Sequence, residues 1–376
     1  MIHNPGFLFT VMAFALVIGP LIFVHEMGHY LAGRLFGTKI DAFSIGFGPE
    51  VAGWTDRRGT RWKLSAFPLG GYVKFAGDMN AASEPDPAWL ELPAEERAMT
   101  LPGKPVWQRA IIVAAGPVVN LLLAVLIVSC FVYVRGEDVT PAQVGKVVTG
   151  SAAASAGLAP GDRILALGGR AVDTYGDMAD FTQLRPGEPI TIDFVRAGVA
   201  RQVRATLGAV ILKDKFGNSA RVGQLGIGPV QPVARPVSLI AAPIVAVRIV
   251  REIITGQIDA IGQIIVGKRS VKELGGPIKI AQYSGQQFSL GPEAVIGFIA
   301  MISINLGFIN LLPIPMLDGG HLLFYAIEAV RRRPVEPNVQ EWAFRGGLAA
   351  ILALMLLVTF NDLGSFGLWK LTGLIG

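Results

Sequence analysis

Residues 5–34 read PGFLFTVMAFALVIGPLIFVHEMGHYLAGR. From Pro5 to Val24 there are twenty residues without a charge, about the length an α-helix needs to cross a hydrocarbon core of about 30 Å. Gly19-Pro20 predicts a kink, and the helix is expected to continue to about Arg34. Directly behind the apolar run stands His25-Glu26-Met27-Gly28-His29. Ionisable residues at that depth are costly in lipid and mark functional sites by default. An H-E-x-x-H string on a helix puts its two histidines on one face, with Cβ atoms about 5–6 Å apart. Two imidazoles so placed reach one zinc ion, and Glu26 reaches a water at that ion as general base. With four His and fourteen Glu in 376 residues, a shuffled chain is expected to hold roughly 0.002 such strings. The plainer reading, a helix end whose polar residues face headgroups, leaves this arrangement unexplained.

The rest of the chain agrees with a membrane setting. Hydrophobic residues make up 52% and charged residues 16%, against about 25% charged in a soluble domain. The net charge of +5 fits basic residues gathered on the cytoplasmic side of the spans, and no aromatic-basic interleaving points to nucleic acid. The single cysteine, Cys130, excludes an intrachain disulfide and a thiolate zinc site. No cleavable signal peptide is evident, because the first apolar run continues into the HEMGH string.

Three more stretches are apolar enough to span: Ala110 to Val134 with Asn120 inside it, Ala294 to Leu317 with Asn305 and Asn310, and a short one from Gly346 to Phe360. Trp342 and Arg345 are expected to anchor the last at the interface. Arg57, Arg58, Arg61 and Lys63 follow span one, and Arg331, Arg332 and Arg333 precede span four. With four spans both loops share a side, the cytoplasm. Residues 40–75 are rich in Gly, Pro and alternating apolar residues and predict strands and tight turns at the membrane face, which requires surrounding protein or a water-filled cavity. Residues 138–208 read as a soluble α+β domain. Residues 236–290 contain an apolar run too short to span and interrupted by Arg248, Arg251 and Glu252, which predicts an amphipathic interfacial helix.

Two histidines leave a catalytic zinc one protein ligand short. His3, His321 and a carboxylate are the candidates. Asp318 is the one acid near the end of span three, behind Pro313 and Pro315 and ahead of Gly319-Gly320. It can turn inward as a ligand or N-cap the helix that begins near His321.

The chain resembles the site-2 proteases, intramembrane zinc metalloproteases, of the bacterial regulator-of-sigma-E type. HEMGH, Gly116-Pro117-Val118-Val119-Asn120, the string from Asn310 to Gly320, and that from Pro68 to Phe75 carry the resemblance over nearly the whole length. It implies that Asp318 joins His25 and His29 on one catalytic Zn2+, that Glu26 is the catalytic acid/base, and that Asn310 assists the oxyanion. It implies a structural or substrate-positioning role for Asn120. The edge Gly70-Gly71-Tyr72-Val73 is expected to hold an unwound substrate by strand pairing. The string Gly157-Leu158-Ala159-Pro160-Gly161-Asp162-Arg163-Ile164 resembles a bacterial periplasmic PDZ domain, with an extended peptide or C-terminus expected at Val144, Gly145, Lys146 and Val147. The best-known relatives carry two tandem PDZ domains, and here one is found.

The expected fold class is therefore a multi-span α-helical membrane protein with four transmembrane helices, a membrane-associated β-hairpin region and an inserted α+β PDZ domain. The expected boundaries are helix one at 1–36, β region and cytoplasmic loop at 37–104, helix two at 105–135, PDZ at 138–208, linker and interfacial segment at 209–291, helix three at 292–333 and helix four at 341–363. The implied function is regulated intramembrane proteolysis of single-span proteins, such as a pre-trimmed anti-sigma factor or remnant signal peptides. The implied place is the bacterial inner membrane, with the PDZ domain periplasmic, the active site near the cytoplasmic face, and lipid rather than nucleic acid as surroundings. A zinc transporter would show ligand clusters in matched repeats, and none is found. A PDZ scaffold with a decayed protease core is opposed by the intact ligand string.

Overall fold

The computed structural model describes residues 6–78, 89, 91–183, 185–213, 219–266 and 275–365. In chain order the elements are α1 Phe7–Leu35, β1 Ile40–Thr55, β2 Arg61–Phe75, α2 Ala94–Ala98, α3 Val106–Arg135, β3 Glu137–Val139, β4 Lys146–Val147, α4 Ala152–Ser155, β5 Arg163–Leu167, β6 Arg170–Ala171, α5 Tyr175–Gln183, β7 Pro189–Arg196, β8 Val199–Thr206, β9 Gly208–Lys213, β10 Ser219–Gln224, β11 Ile227–Gly228, β12 Val233–Arg235, α6 Ala242–Ile265, α7 Pro277–Leu290, α8 Pro292–Asn310, α9 Asp318–Arg331 and α10 Pro337–Ser365. They fall into two units: Met1–Val128 with Ala246–Asp259 and Val271–Gly376, and Ser129–Val245 with Ala260–Ser270.

In the first unit four helical segments are long and apolar enough to cross a membrane: Phe7–Leu35, Val106–Arg135, Pro292–Asn310 and Asn338–Phe360. Their outward side chains, among them Leu8, Leu16, Leu122, Leu126 and Leu356, are exposed and apolar, as a lipid-facing surface requires. The inward side of α1 buries Val17 and Leu21 against Ile302 of α8, with Leu123 of α3 and Phe288 of α7 packed alongside. Where α1 meets α3 there is no room for a side chain. A Cβ on Gly28 would stand 2.5 Å from the Ala115 carbonyl oxygen.

β1 and β2 are long and bent. Residues 42–45 are flanked by 71–74 on one side and by 61–64 on the other. The bend falls where Gly46 and Gly48 take φ of 91° and 86°, a region that side chains with a Cβ seldom enter. The inner face of this sheet joins Phe43, Val73 and Phe75 to Tyr30 of α1 and Ile112 of α3 in one apolar cluster. The sheet is thereby packed onto the turn of α1 that carries HEMGH.

The third span differs from its expected extent. The helix stops at Asn310, and α9 restarts at Asp318. Pro313 and Pro315 lack the N–H a continuous helix needs, so residues 311–317 form turns, with the Ile314 N–H donating to the Leu312 carbonyl at 2.7 Å and the Leu317 N–H to the Ile314 carbonyl at 3.1 Å. Met316 in this turn has φ of 78°. Behind it, a Cβ on Gly347 of α10 would lie 2.6 Å from Pro315 Cβ. The fourth helix is also longer than its apolar core, 29 residues. The segment read as one interfacial helix holds two helices. α6 packs Val250 against Ala124 of α3 and Ile304 of α8. α7 is capped by Asp362 of α10, which accepts from the Gly276 and Lys279 backbone N–H groups.

The second unit has its own core, built from Val144, Leu158, Ile164, Leu167, Phe181, Ile192 and Phe194 among others. Its main sheet runs β6-β5-β7-β8. β11 returns to pair with β4, and β12 with β3. The folded unit therefore continues well past residue 208, its expected end. β11 and β12 are two and three residues long, too short for a period-two pattern to announce them. Arg196 donates to both carboxylate oxygens of the buried Asp162, at 2.7 and 2.6 Å.

Candidate metal centre

α1 brings His25 and His29 to one face, and the turn after α8 delivers Asp318 to the same place. His25 Nε2 lies 3.2 Å from His29 Nε2 and 3.2 Å from Asp318 Oδ2. His29 Nε2 lies 3.5 Å from Asp318 Oδ1. A tetrahedral ion with bonds of about 2.0–2.1 Å separates its ligand atoms by roughly 3.3 Å. These separations, taken to the two Asp318 carboxylate oxygens in turn, match a zinc-sized cation, and a donor set of two nitrogens and one carboxylate leaves a fourth position for a reactant. Among the described residues this is the group of His, Cys, Asp and Glu side chains that converges closely enough to hold a metal.

The backbone bears on the cap reading of Asp318. Leu317, with φ −102° and ψ 162°, occupies the N-cap position, and no side chain caps the helix. Asp318 is the first helical residue, and its carboxylate faces the two imidazoles. α9 is held in place further along by Glu328, which accepts from Arg109 of α3 at 2.6 Å, while the same guanidinium lies over the Tyr325 ring. His321 packs its ring on Phe344 instead, at 4.9 Å, and His3 lies outside the described residues.

The second nitrogen of each histidine is also occupied, both times by α3. His29 Nδ1 lies 2.9 Å from the Ile112 carbonyl oxygen, and such a bond fixes the tautomer that leaves Nε2 for a metal. His25 Nδ1 lies 3.1 Å from Asn120 Nδ2. Asn120 is wholly buried, with its side chain against the His25 ring. Gly116 makes the approach possible, since a Cβ there would stand 2.2 Å from His29 Nε2. The Gly116-Pro117 string hinted at this, but neither the Ile112 carbonyl nor the need for Gly28 leaves a mark in sequence.

Glu26 is buried beside the triangle. Its Cγ would be 2.9 Å from a Cβ on Gly71, and the Val73 backbone N–H is within hydrogen-bonding reach of its carboxylate. The expected substrate strand thus runs past the expected base. Within that strand Gly71, Tyr72 and Val73 pair with Ile45, Ser44 and Phe43, and Tyr72 stacks on Phe47. Asn310 is the last residue of α8 and half-buried, at the mouth of the turn that ends in Asp318.

The model of peptidase family M50 matches residues 13–354. The chain belongs to peptidase family M50. This M50 peptidase is 47% identical over 360 residues to Atu1380 of Agrobacterium fabrum, which bears the name of a zinc metalloprotease, covering 94% of this chain and 96% of that one. It is 37% identical over 393 residues to Metalloprotease MmpA of Caulobacter vibrioides, covering 98% of both. One quarter of the M50 peptidase also aligns with the crystal structure of the PDZ domain of the SdrC-like protein Lmo2051 from Listeria monocytogenes, at 24% identity, 90% coverage of that chain and a TM-score of 0.20. The M50 peptidase is a zinc metalloprotease on a multi-span membrane chain.

In the second unit a cavity of about 140 Å³ lies between α5 and residues 222–227, lined by Tyr175, Met178, Thr182, Val222 and Leu225. The four residues expected at the peptide site lie elsewhere in the same unit. Val144 is fully buried in the core, Lys146 and Val147 are paired with β11, and the Gly145 N–H is taken by the Gly228 carbonyl. None of the four lines the cavity.

Proposed function

We propose that this M50 peptidase hydrolyses peptide bonds within the bilayer at one zinc ion held by His25, His29 and Asp318, with Glu26 as acid and base. The convergence of three ligating side chains from α1 and the first residue of α9 carries the reading. Zinc, when bound, polarises a carbonyl and lowers the pKa of an attached water to about 7. Glu26, next to the first ligand and screened from bulk water, takes the proton of the attacking water and passes it to the leaving amine. Asn310, at the end of α8, donates to the oxygen on which negative charge develops.

Depth supports the intramembrane setting. His25 is eighteen residues beyond Phe7, or roughly 27 Å along a helix, so a helix that enters the hydrocarbon at Phe7 brings the site close to the far face. With the basic loops cytoplasmic, that face is cytoplasmic and the PDZ-like unit periplasmic, in a bacterial inner membrane. A helical substrate shields its peptide bonds, so it must unwind, and the Gly70-Gly71-Tyr72-Val73 segment beside Glu26 offers backbone for an extended stretch. The substrate class that fits is a single-span protein such as a trimmed anti-sigma factor or a remnant signal peptide. The second unit takes extended peptide along the cavity beside α5.

The test is the Glu26→Gln variant in proteoliposomes with a single-span model substrate. It should keep stoichiometric zinc and lose cleavage altogether. Cleavage at the wild-type rate would end the assignment of Glu26.

A further inference from the structure

Asn120 stands against a metal ligand, and its chemistry there is unfinished. Its Nδ2 is 3.1 Å from His25 Nδ1. Its Oδ1 is buried with no hydrogen-bond partner among the described residues. Its backbone is pinned, because Ser303 Oγ of α8 donates to the Asn120 carbonyl at 2.8 Å. Nδ2 can only donate, so in this arrangement Nδ1 of His25 accepts and the ring proton sits on Nε2, facing Asp318 Oδ2 at 3.2 Å. A neutral imidazole that gives its Nε2 lone pair to a cation has the opposite tautomer, with the proton on Nδ1. That N–H, deep in the protein, requires an acceptor. For His29 the Ile112 carbonyl serves. For His25 the side chain in place is the Asn120 carboxamide, and a half-turn about its Cβ–Cγ bond exchanges the donor for Oδ1.

We propose that Asn120 is a positioning residue for the metal, accepting from His25 Nδ1–H through Oδ1 and so selecting the tautomer that presents Nε2. The inference rests on the reading of His25 as a zinc ligand. Of the structural or substrate-positioning roles that the resemblance implied, it takes up the structural one and gives it a stated atom and partner. A carboxamide suits this place because one group serves both tautomers, donating to Nδ1 in one and accepting from it in the other.

Zinc affinity of the purified full-length protein, measured by chelator competition, tests this on Asn120→Leu, Asn120→Ala and Asn120→Asp. Leucine and alanine remove the acceptor and should weaken zinc by about 10–100-fold, the usual effect of losing the outer partner of a ligating histidine. Aspartate keeps an acceptor oxygen and should hold zinc within a few-fold of wild type or more tightly. The cobalt-substituted Asp variant should keep the visible bands of the wild type, while the Ala variant shifts or loses them. Wild-type affinity in the leucine or alanine variant would overturn the proposal, as would an aspartate variant as weak as alanine. Should leucine fail to fold, as read by thermal unfolding without metal, the aspartate-to-alanine ratio decides alone. A wild-type protein without stoichiometric zinc, or His25→Ala with undiminished affinity, would instead remove the ligand reading beneath it.

Discussion

Replacing Gly116 with alanine adds one methyl group, and the geometry says where it goes. The new Cβ would lie 2.2 Å from His29 Nε2, 2.6 Å from its Cε1 and 2.8 Å from its Cδ2. Carbon at ordinary contact keeps about 3.5 Å from such atoms, so His29 and α3 must part by on the order of 1 Å. The ring is not free to swing aside, because Nδ1 is tied to Ile112. If α3 retreats instead, the contacts of Ile112 and Asn120 with both histidines lengthen together. Zinc ligands tolerate about 0.2 Å, and a misplacement of about 1 Å costs on the order of 100-fold in rate. Gly116→Ala should therefore lower zinc affinity and turnover by at least about 100-fold. Gly297→Ala is the control, since a Cβ there meets nothing within 4 Å. Removing a helix-interior glycine at an open position adds up to about 1 kcal/mol of stability, and activity should be unchanged. Zinc content by elemental analysis and cleavage of a single-span substrate report both variants. A Gly116→Ala protein with full zinc and wild-type turnover would refute the packing argument.

Three other outcomes follow from the same structure. Met316→Gly should keep zinc and gain or hold stability, whereas Met316→Val should lose zinc, because φ of 78° suits glycine and resists a β-branched residue; equal zinc content in the two would contradict this. His321→Ala should leave zinc stoichiometry intact, since that ring packs on Phe344; loss of the metal from a folded variant would restore His321 as a ligand. The Arg196 guanidinium holds the Asp162 carboxyl below the usual carboxylate range. Its stabilisation is thus present above the unfolded pKa of about 3.9 and lost as pH falls through the lower folded value. The stability gap between wild type and Asp162→Asn should begin to narrow below about pH 4 and close as pH passes the lower folded value, and a gap independent of pH would speak against the ion pair.

What could be read from the chain depended on how local the information was. HEMGH announces two candidate ligands because their spacing is the helix period itself, and the long apolar runs announce their spans because lipid demands them. Asp318 was visible as a candidate ligand with a rival role as a cap, and the choice depended on which residue begins α9: Asp318 does, with Leu317 at the N-cap position. Pro313 and Pro315 announced a break before Asp318, whereas the apolar residues Leu311 and Leu312 masked how early α8 ends, at Asn310. The middle unit was cut short at residue 208 although β9 and β10 beyond it are six residues each; β11 and β12, which pair back onto β4 and β3, are only two and three residues long and leave no period-two pattern. The pairing of Lys146 and Val147 was out of view for a related reason: β11, contributed from far along the chain, covers β4. The contacts of Asn120 and Ile112 with the histidines join residues 95 and 83 positions apart, and no pattern in a single sequence reports such pairs.

The triangle of His25, His29 and Asp318 has a mechanical side as well as a chemical one. A cation gripped there ties together residues 293 positions apart, so it acts as a removable cross-link around most of the polypeptide. By the loop-entropy relation used for disulfides, a closure of that length is worth on the order of 6 kcal/mol, an upper bound for helices already confined to two dimensions. Chelation would then do more than silence the enzyme: it would unfasten the clasp between the first helix and α9.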